Sequence, residues 1–343
     1  MRAREPCVSF ERADIELLVE KLRRIYEEKR RYVQATLDGR ILVKPAPIME
    51  LFGRVIRGIP VDDSRLRVLE PKPHLKLVIA VDASAKVLFN LGTSRIIVSK
   101  VVVLAYRGLR RVKSIRMKRL GLVESKAQAG EWLLRVEYEA ALRALRELSG
   151  KGYLLMDRGL LAPPILRPST RELINRVRRR ALAEGIITIG VPKITKLSLD
   201  TGESVLSYLT KLAEKRLRGM AWYYYPLFKL ESLPPWVFGA PAIARLSEYS
   251  EKVLRIDVAR KALMRLDCEE ILEELSFLQD PTTPGYPYPL RAVHEESRIS
   301  DNEAELDRLI LLEELGGEGL REKLLVNVKS VSYREKALWG EIP

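Results

Sequence analysis

Two short apolar runs that each end in an aspartate, KLVIAVDAS at 76–84 and GYLLMDRG at 152–159, constrain the fold of this chain most. Apolar runs of this length without strict alternation read as strands buried on both faces. Each run carries its acid, Asp82 or Asp157, to a strand C-terminus. Between them, EWLLRVEYEAALRALRELSG at 131–150 is built from strong helix formers and ends in glycine. Its apolar stripe runs through Leu134, Tyr138, Ala141, Leu142 and Leu145. The two aspartates are therefore expected at the strand ends where open α/β sheets build their sites.

Further strands are predicted near 87–92 and 94–106, with Gly92 at the turn, giving an antiparallel meander with the first run. A helix at 169–184 and a strand at 186–195 follow the second run. The order of three strands, helix, strand, helix, strand predicts an α/β fold with a sheet of mixed direction. Beyond residue 196 the pattern predicts a helix near 202–217, the aromatic stretch WYYYPLFKL at 222–230, a strand at 253–258, a proline-rich loop and a long helix at 291–314. The consecutive Trp222, Tyr223, Tyr224 and Tyr225 are read as core or dimer interface rather than as a base-stacking platform. Ahead of all this, residues 8–35 repeat apolar positions at Ile15, Leu18, Val19, Leu22, Ile25 and Tyr26, the spacing of an amphipathic helical arm. The basic residues Arg23, Arg24, Lys29, Arg30 and Arg31 of that arm alternate with glutamates and read as a solvated face. The expected organisation is an arm and loop at 1–75, a main α/β domain at 76–315 and a C-terminal helical extension at 316–343.

Composition narrows the partner. The formal charge is +14, which favours a polyanion because bound lysines and arginines release its counterions. Basic residues concentrate at 107–119 (RGLRRVKSIRMKR) and at 175–180 (NRVRRR). Arg110, Arg111, Arg116 and Lys118 in the first run, and Arg178 and Arg179 in the second, are the candidate DNA contacts. Only two cysteines occur, Cys7 and Cys268, without a zinc-ligand spacing, so neither a zinc site nor a disulfide framework is expected. No stretch has the length and apolarity of a membrane span or a signal-peptide core, so a cytoplasmic protein is expected.

Two strand-borne aspartates and a glutamate from the intervening helix would gather three carboxylates at one end of the sheet. Hard oxygen ligands of this kind suit Mg²⁺ or Mn²⁺, and two such ions about 3.5–4 Å apart serve phosphodiester hydrolysis. The helix offers Glu137 and Glu139; Glu137 lies closer to the apolar stripe and is the preferred ligand, with Glu139 as the alternative. His294, one of two histidines, follows the proline-bearing loop and is a candidate metal ligand or acid/base. Tyr286, or its neighbour Tyr288, is placed to hold a phosphate or a base; Lys193 and Lys196 are candidates for stabilising transition-state charge, or else solvated loop lysines.

The ordered set VDAS (81–84), the acidic helix at 131–149, MDRG (156–159), the lysine of VPKITK and GYPYPLRAVH (285–294) resembles the NurA nuclease family over about residues 76–315. Ala83 and Arg158 stand where that family usually has glycine. The resemblance implies a ribonuclease H-like fold, a homodimer, and manganese-dependent 5′–3′ exonuclease and single-strand endonuclease activity on DNA. It also implies partnership with a hexameric HerA-type translocase in processing DNA ends for recombinational repair. By motif position, Asp82 and Asp157 would be metal ligands, and Tyr286 and His294 would match the family's tyrosine and histidine. Two other readings are compatible with the residues: a ribonuclease H-like enzyme acting on RNA or hybrids, and a basic DNA-binding adaptor without catalysis.

Overall fold

The structure, a computed structural model, describes residues 12–28, 44–193, 195–280 and 282–326. Helix α1 (Arg12–Glu28) lies within the predicted arm, and its Ile15, Leu18, Val19 and Leu22 are exposed. Lys29, Arg30, Arg31 and Cys7 fall outside the described residues. Strands β1 (Pro47–Leu51) and β2 (Arg54–Arg57) form a hairpin, and β3 (Leu66–Val68) follows. The meander comes next, as β4 (Leu77–Asn90), β5 (Arg95–Arg107) and β6 (Arg110–Val123).

This meander corrects the sequence reading in two places. The runs at 76–84 and 87–92 are one strand, so Asp82 lies within β4 rather than at its C-terminus. The third strand of the meander is the basic run itself, β6, at the edge of the sheet. An edge strand tolerates this charge because one side and one face meet water, and charge there discourages pairing with another sheet.

Helix α2 (Lys126–Glu147) begins where the Ser125 side chain accepts from the Gln128 amide, and leads into β7 (Gly152–Met156). Helix α3 (Pro168–Ala183) opens with proline in its first turn, and β8 (Ile186–Gly190) follows. Then come β9 (Leu197–Leu199), α4 (Val205–Leu217), β10 (Trp222–Tyr224), β11 (Gly239–Arg245), β12 (Leu254–Ala259), the single turn α5 (Arg260–Leu263) and α6 (Cys268–Phe277). A short ladder of β13 (Gln279–Asp280) and β14 (Thr283–Pro287) precedes α7 (Tyr288–Ser297) and α8 (Asp301–Gly317). The long helix expected at 291–314 is thus two, because the Ser300 side chain caps α8 by accepting from the Glu303 amide. The aromatic strand stops at Tyr224, ahead of Pro226, which has no N–H to give a ladder. The hairpin of β1 and β2, β9, β11 and α6 had no counterpart in the sequence reading.

Nine strands form the main sheet, in the order β3-β10-β11-β12-β8-β7-β4-β5-β6. β5 is antiparallel to both β4 and β6, while β4, β7 and β8 run parallel, which makes the sheet mixed as expected. Its two faces carry different helices. Leu77, Ile79 and Val81 of β4 pack with Tyr138, Ala141 and Leu145 of α2 and Ile174 and Val177 of α3. Val78 and Ala80 face the other way, with Tyr153 and Leu155, toward Leu272 and Leu275 of α6 and Leu290 and Val293 of α7. Burying an aliphatic side chain this completely stabilises the fold by about 1.5–3 kcal/mol each. A third core joins the hairpin, α4 and the outer half of the sheet around Trp222 and Tyr224, so these aromatics are structural. No helix among the described residues is long and apolar enough to cross a membrane.

Candidate active site

The parallel register of β4 and β7 builds the centre of the site. Val81 is paired with Met156, and β7 ends there, so the next residues on the two chains, Asp82 and Asp157, stand side by side. Neighbouring strands are about 4.8 Å apart, which brings the two carboxylates together. Alternation sets the face. Asp82 follows Val78 and Ala80, and Asp157 follows Tyr153 and Leu155, so both acids point to the side covered by α7.

Helix α7 answers with His294 and Ser297, one turn apart on the same face. His294 Nδ1 lies 2.8 Å from Asp82 Oδ2 and 3.9 Å from Asp157 Oδ2. The Ser297 hydroxyl lies 3.0 Å from Asp82 Oδ2 and 3.0 Å from the His294 carbonyl, and its single proton serves one acceptor at a time. Lys193, in the loop after β8, brings Nζ to 2.7 Å from Asp157 Oδ2 and 3.4 Å from His294 Nδ1. The Tyr286 hydroxyl donates to Asp157 Oδ1 at 3.4 Å. Gly285 before it has φ +83, a left-handed conformation that glycine adopts without strain. Tyr288, the alternative to Tyr286, instead stacks edge-on against Tyr106, with ring centroids 5.8 Å apart.

The electrostatics follow from burial. Asp157, whose side chain is 3% exposed, has its carboxyl pushed above the ordinary value by desolvation, against the pull of Lys193. Desolvation likewise raises the Tyr286 hydroxyl, with Asp157 adding to the effect, so it stays protonated and donates.

Glu137 faces the sheet and is buried, while Glu139 is partly exposed near Arg119 and Arg135. Glu137 does not meet the aspartates directly. Its two oxygens lie 2.5 Å from Nη2 and 2.5 Å from Nε of Arg158. Burial pushes its carboxyl up to about 7, the guanidinium pulling the other way. The ligand atoms of Asp82, Asp157 and His294 all lie within 4.8 Å of one another, a group able to hold a metal ion. Two carboxylates and an imidazole are a donor set for a divalent cation, and the Lys193 ammonium against Asp157 and His294 already marks a place for positive charge.

Three supports of the site escaped the sequence reading. Asp257 is fully buried on β12, held by Arg255 at 2.7 and 3.1 Å, and its Oδ2 accepts from the Leu160 amide at 3.1 Å. It thereby ties down the loop that carries Asp157 and Arg158. Gly190 lets that loop come close, since a Cβ there would collide with the Arg158 carbonyl. The signal for Asp257 was present in VLRIDV, where Arg255 and Asp257 share one face of an otherwise apolar strand. Ser297 was legible only through its i, i+3 relation to His294.

The candidate DNA contacts are dispersed and mostly engaged. Arg111 and Arg116 reach Glu296 of α7 at 2.5 and 2.6 Å, and Lys118 reaches Asp307 and Glu303 of α8 at 2.7 and 3.0 Å. On α3, Arg178 bonds Asn175 and lies over the Phe238 ring, and Arg179 pairs with Glu172. Arg110 is exposed and has no ionic partner among the described residues. Lys196 is also outside the cluster around Asp157.

A model of the NurA domain matches residues 76–299, well over half of the chain. The chain belongs to the NurA family. The crystal structure of the NurA nuclease from Sulfolobus solfataricus is similar to it at 16% sequence identity and a TM-score of 0.53, covering 92% of this chain and 98% of that one. This likeness shows the fold the family shares, a mixed sheet flanked by helices. More distant are endonuclease V from Ciona intestinalis, in complex with a DNA containing inosine (16% identity, TM-score 0.42, 86% of this chain and 99% of that chain), and human endonuclease V (17%, 0.39, 69% and 92%). No curated protein sequence matches this one. Membership of NurA supports a nuclease.

Proposed function

We propose that the protein is a divalent-metal-dependent deoxyribonuclease that hydrolyses phosphodiester bonds at the Asp82–Asp157–His294 cluster. The observation that carries this reading is the convergence of two buried carboxylates and one imidazole within 4.8 Å. A divalent cation held there supplies Lewis acidity toward the phosphodiester.

The protein's own groups have separable tasks. Asp82 is oriented by His294 and Ser297, and Asp157 by Tyr286 and the loop that Asp257 anchors. Lys193 is more than half exposed, so its ammonium is free to turn from Asp157 to a phosphate oxygen and stabilise charge that develops there. Nδ1 of His294 faces Asp82 Oδ2, and that nitrogen would have to be free of a proton to ligate a metal. The basic residues of β6 and α3, Arg110 foremost, supply the attraction for the DNA backbone.

Family membership supports the finer reading: Mn²⁺ as the working ion, 5′–3′ exonuclease and single-strand endonuclease action, a homodimer in the cytoplasm, and a HerA-type hexameric translocase as partner in end resection. The test is cleavage of end-labelled single- and double-stranded DNA, and of RNA, with Mn²⁺, Mg²⁺ or EDTA, beside Asp157→Ala. Metal-dependent loss of DNA that the variant abolishes is the expected result. Cutting confined to RNA would favour the ribonuclease reading, and tight DNA binding without cutting would favour the adaptor.

A further inference from the structure

We propose that the site takes a single divalent cation, because Arg158 holds Glu137 out of the ligand set and supplies the positive charge that a second ion would bring. This rests on the metal-nuclease reading above. Asp157 and Arg158 are successive residues in the bend just after β7, and their contacts show that they leave on opposite sides. Asp157 turns to the α7 side, where His294 and Lys193 wait, and Arg158 turns to the α2 side, where Glu137 is buried.

Arg158 Nη2 donates to Glu137 Oε1, and the second oxygen lies 2.5 Å from Nε as an ion pair without hydrogen-bond geometry. A buried carboxylate so paired cannot offer its charge to a cation without leaving the buried guanidinium uncompensated. The charge balance agrees. Asp82, Asp157 and Glu137 carry three negative charges and Arg158 one positive, once the exposed Lys193 has swung to substrate. One divalent cation balances the remaining two, and a second ion would have only the substrate's phosphate to offset it. The sheet thus divides its acids: those on the α7 side bind the ion, and the one on the α2 side is occupied by the chain's own guanidinium.

The experiment is Mn²⁺ titration of the full chain by calorimetry, with electron paramagnetic resonance of the loaded protein, for wild type, Arg158→Ala and Arg158→Met. Wild type is expected to bind one Mn²⁺ per chain with an uncoupled spectrum. Either folded variant, with Glu137 released, is expected to bind a second Mn²⁺ and show exchange coupling between the two. Two ions in wild type overturn the proposal whatever the variants do, and a folded variant that still binds one overturns the role given to Arg158. No Mn²⁺ bound to wild type would remove the metal reading beneath it, a distinct failure.

Discussion

His294 and Asp82 stand 212 residues apart in the chain, and Nδ1 of the first lies 2.8 Å from Oδ2 of the second. The contact exists because α7 packs on the face of β4 to which Asp82 points. If His294 is a ligand, His294→Ala lowers Mn²⁺ affinity by at least about 10–100-fold, the range for disturbing a metal site's ligand shell. Calorimetry reads this directly, and an unchanged affinity would assign the histidine to proton transfer alone.

Lys193 makes an opposite prediction for binding and turnover. Its ammonium competes with a metal for Asp157, so Lys193→Met should bind Mn²⁺ more tightly than wild type. Its loss should also lower kcat on the order of 10²-fold, if it stabilises transition-state charge. A variant weaker in both respects would mean that the lysine only shapes the loop.

Protonation of Asp157 sets the pH dependence. Burial raises its carboxyl above the ordinary value, so the folded chain takes up this proton more readily than the unfolded chain. The stability it contributes is therefore full below its unfolded pKa and lost as pH rises through the folded one. A bound cation reverses the balance by favouring the carboxylate. Thermal denaturation between about pH 4 and 8 should show Mn²⁺ raising Tm at the alkaline end and the gain vanishing as the solution is acidified. A Tm gain from Mn²⁺ that does not depend on pH would place the ion elsewhere.

Asp257→Ala leaves Arg255 buried without its partner and the Leu160 amide without its acceptor. A loss of about 3–5 kcal/mol is expected from breaking a buried pair, read by chemical denaturation. Replacing both charges, Arg255→Met with Asp257→Leu, should recover much of it, while cleavage stays impaired because the Asp157 loop has lost its anchor.

On β6, Arg110 and Arg116 should differ in their effect on DNA binding. Arg110→Ala removes an exposed, unpaired charge and should reduce the salt slope of binding by about one contact's worth. Arg116→Ala removes a charge already shared with Glu296 and should change the slope less. Equal effects would show that Glu296 releases Arg116 when DNA arrives.

The sequence by itself determined the elements whose signals are local. The apolar runs around Asp82 and Asp157 and the stripe of α2 each follow from backbone periodicity within a few residues, whereas the prolines read as loop open α7 at Tyr288. It misjudged the length of β4 and the edge strand β6, because strand limits depend on what pairs alongside: β4 runs on past Asp82 only because β5 continues beside it, while β7 stops at Met156. Tertiary structure alone decided which acids meet. Helical geometry turned Glu137 toward the sheet, but the pleat put Asp82 and Asp157 on one face and gave Glu137 to Arg158 on the other. That outcome depends on register between strands whose paired residues are 75 apart, as Leu77 and Gly152 are, and on two helices docking from opposite sides, relations that no local pattern encodes.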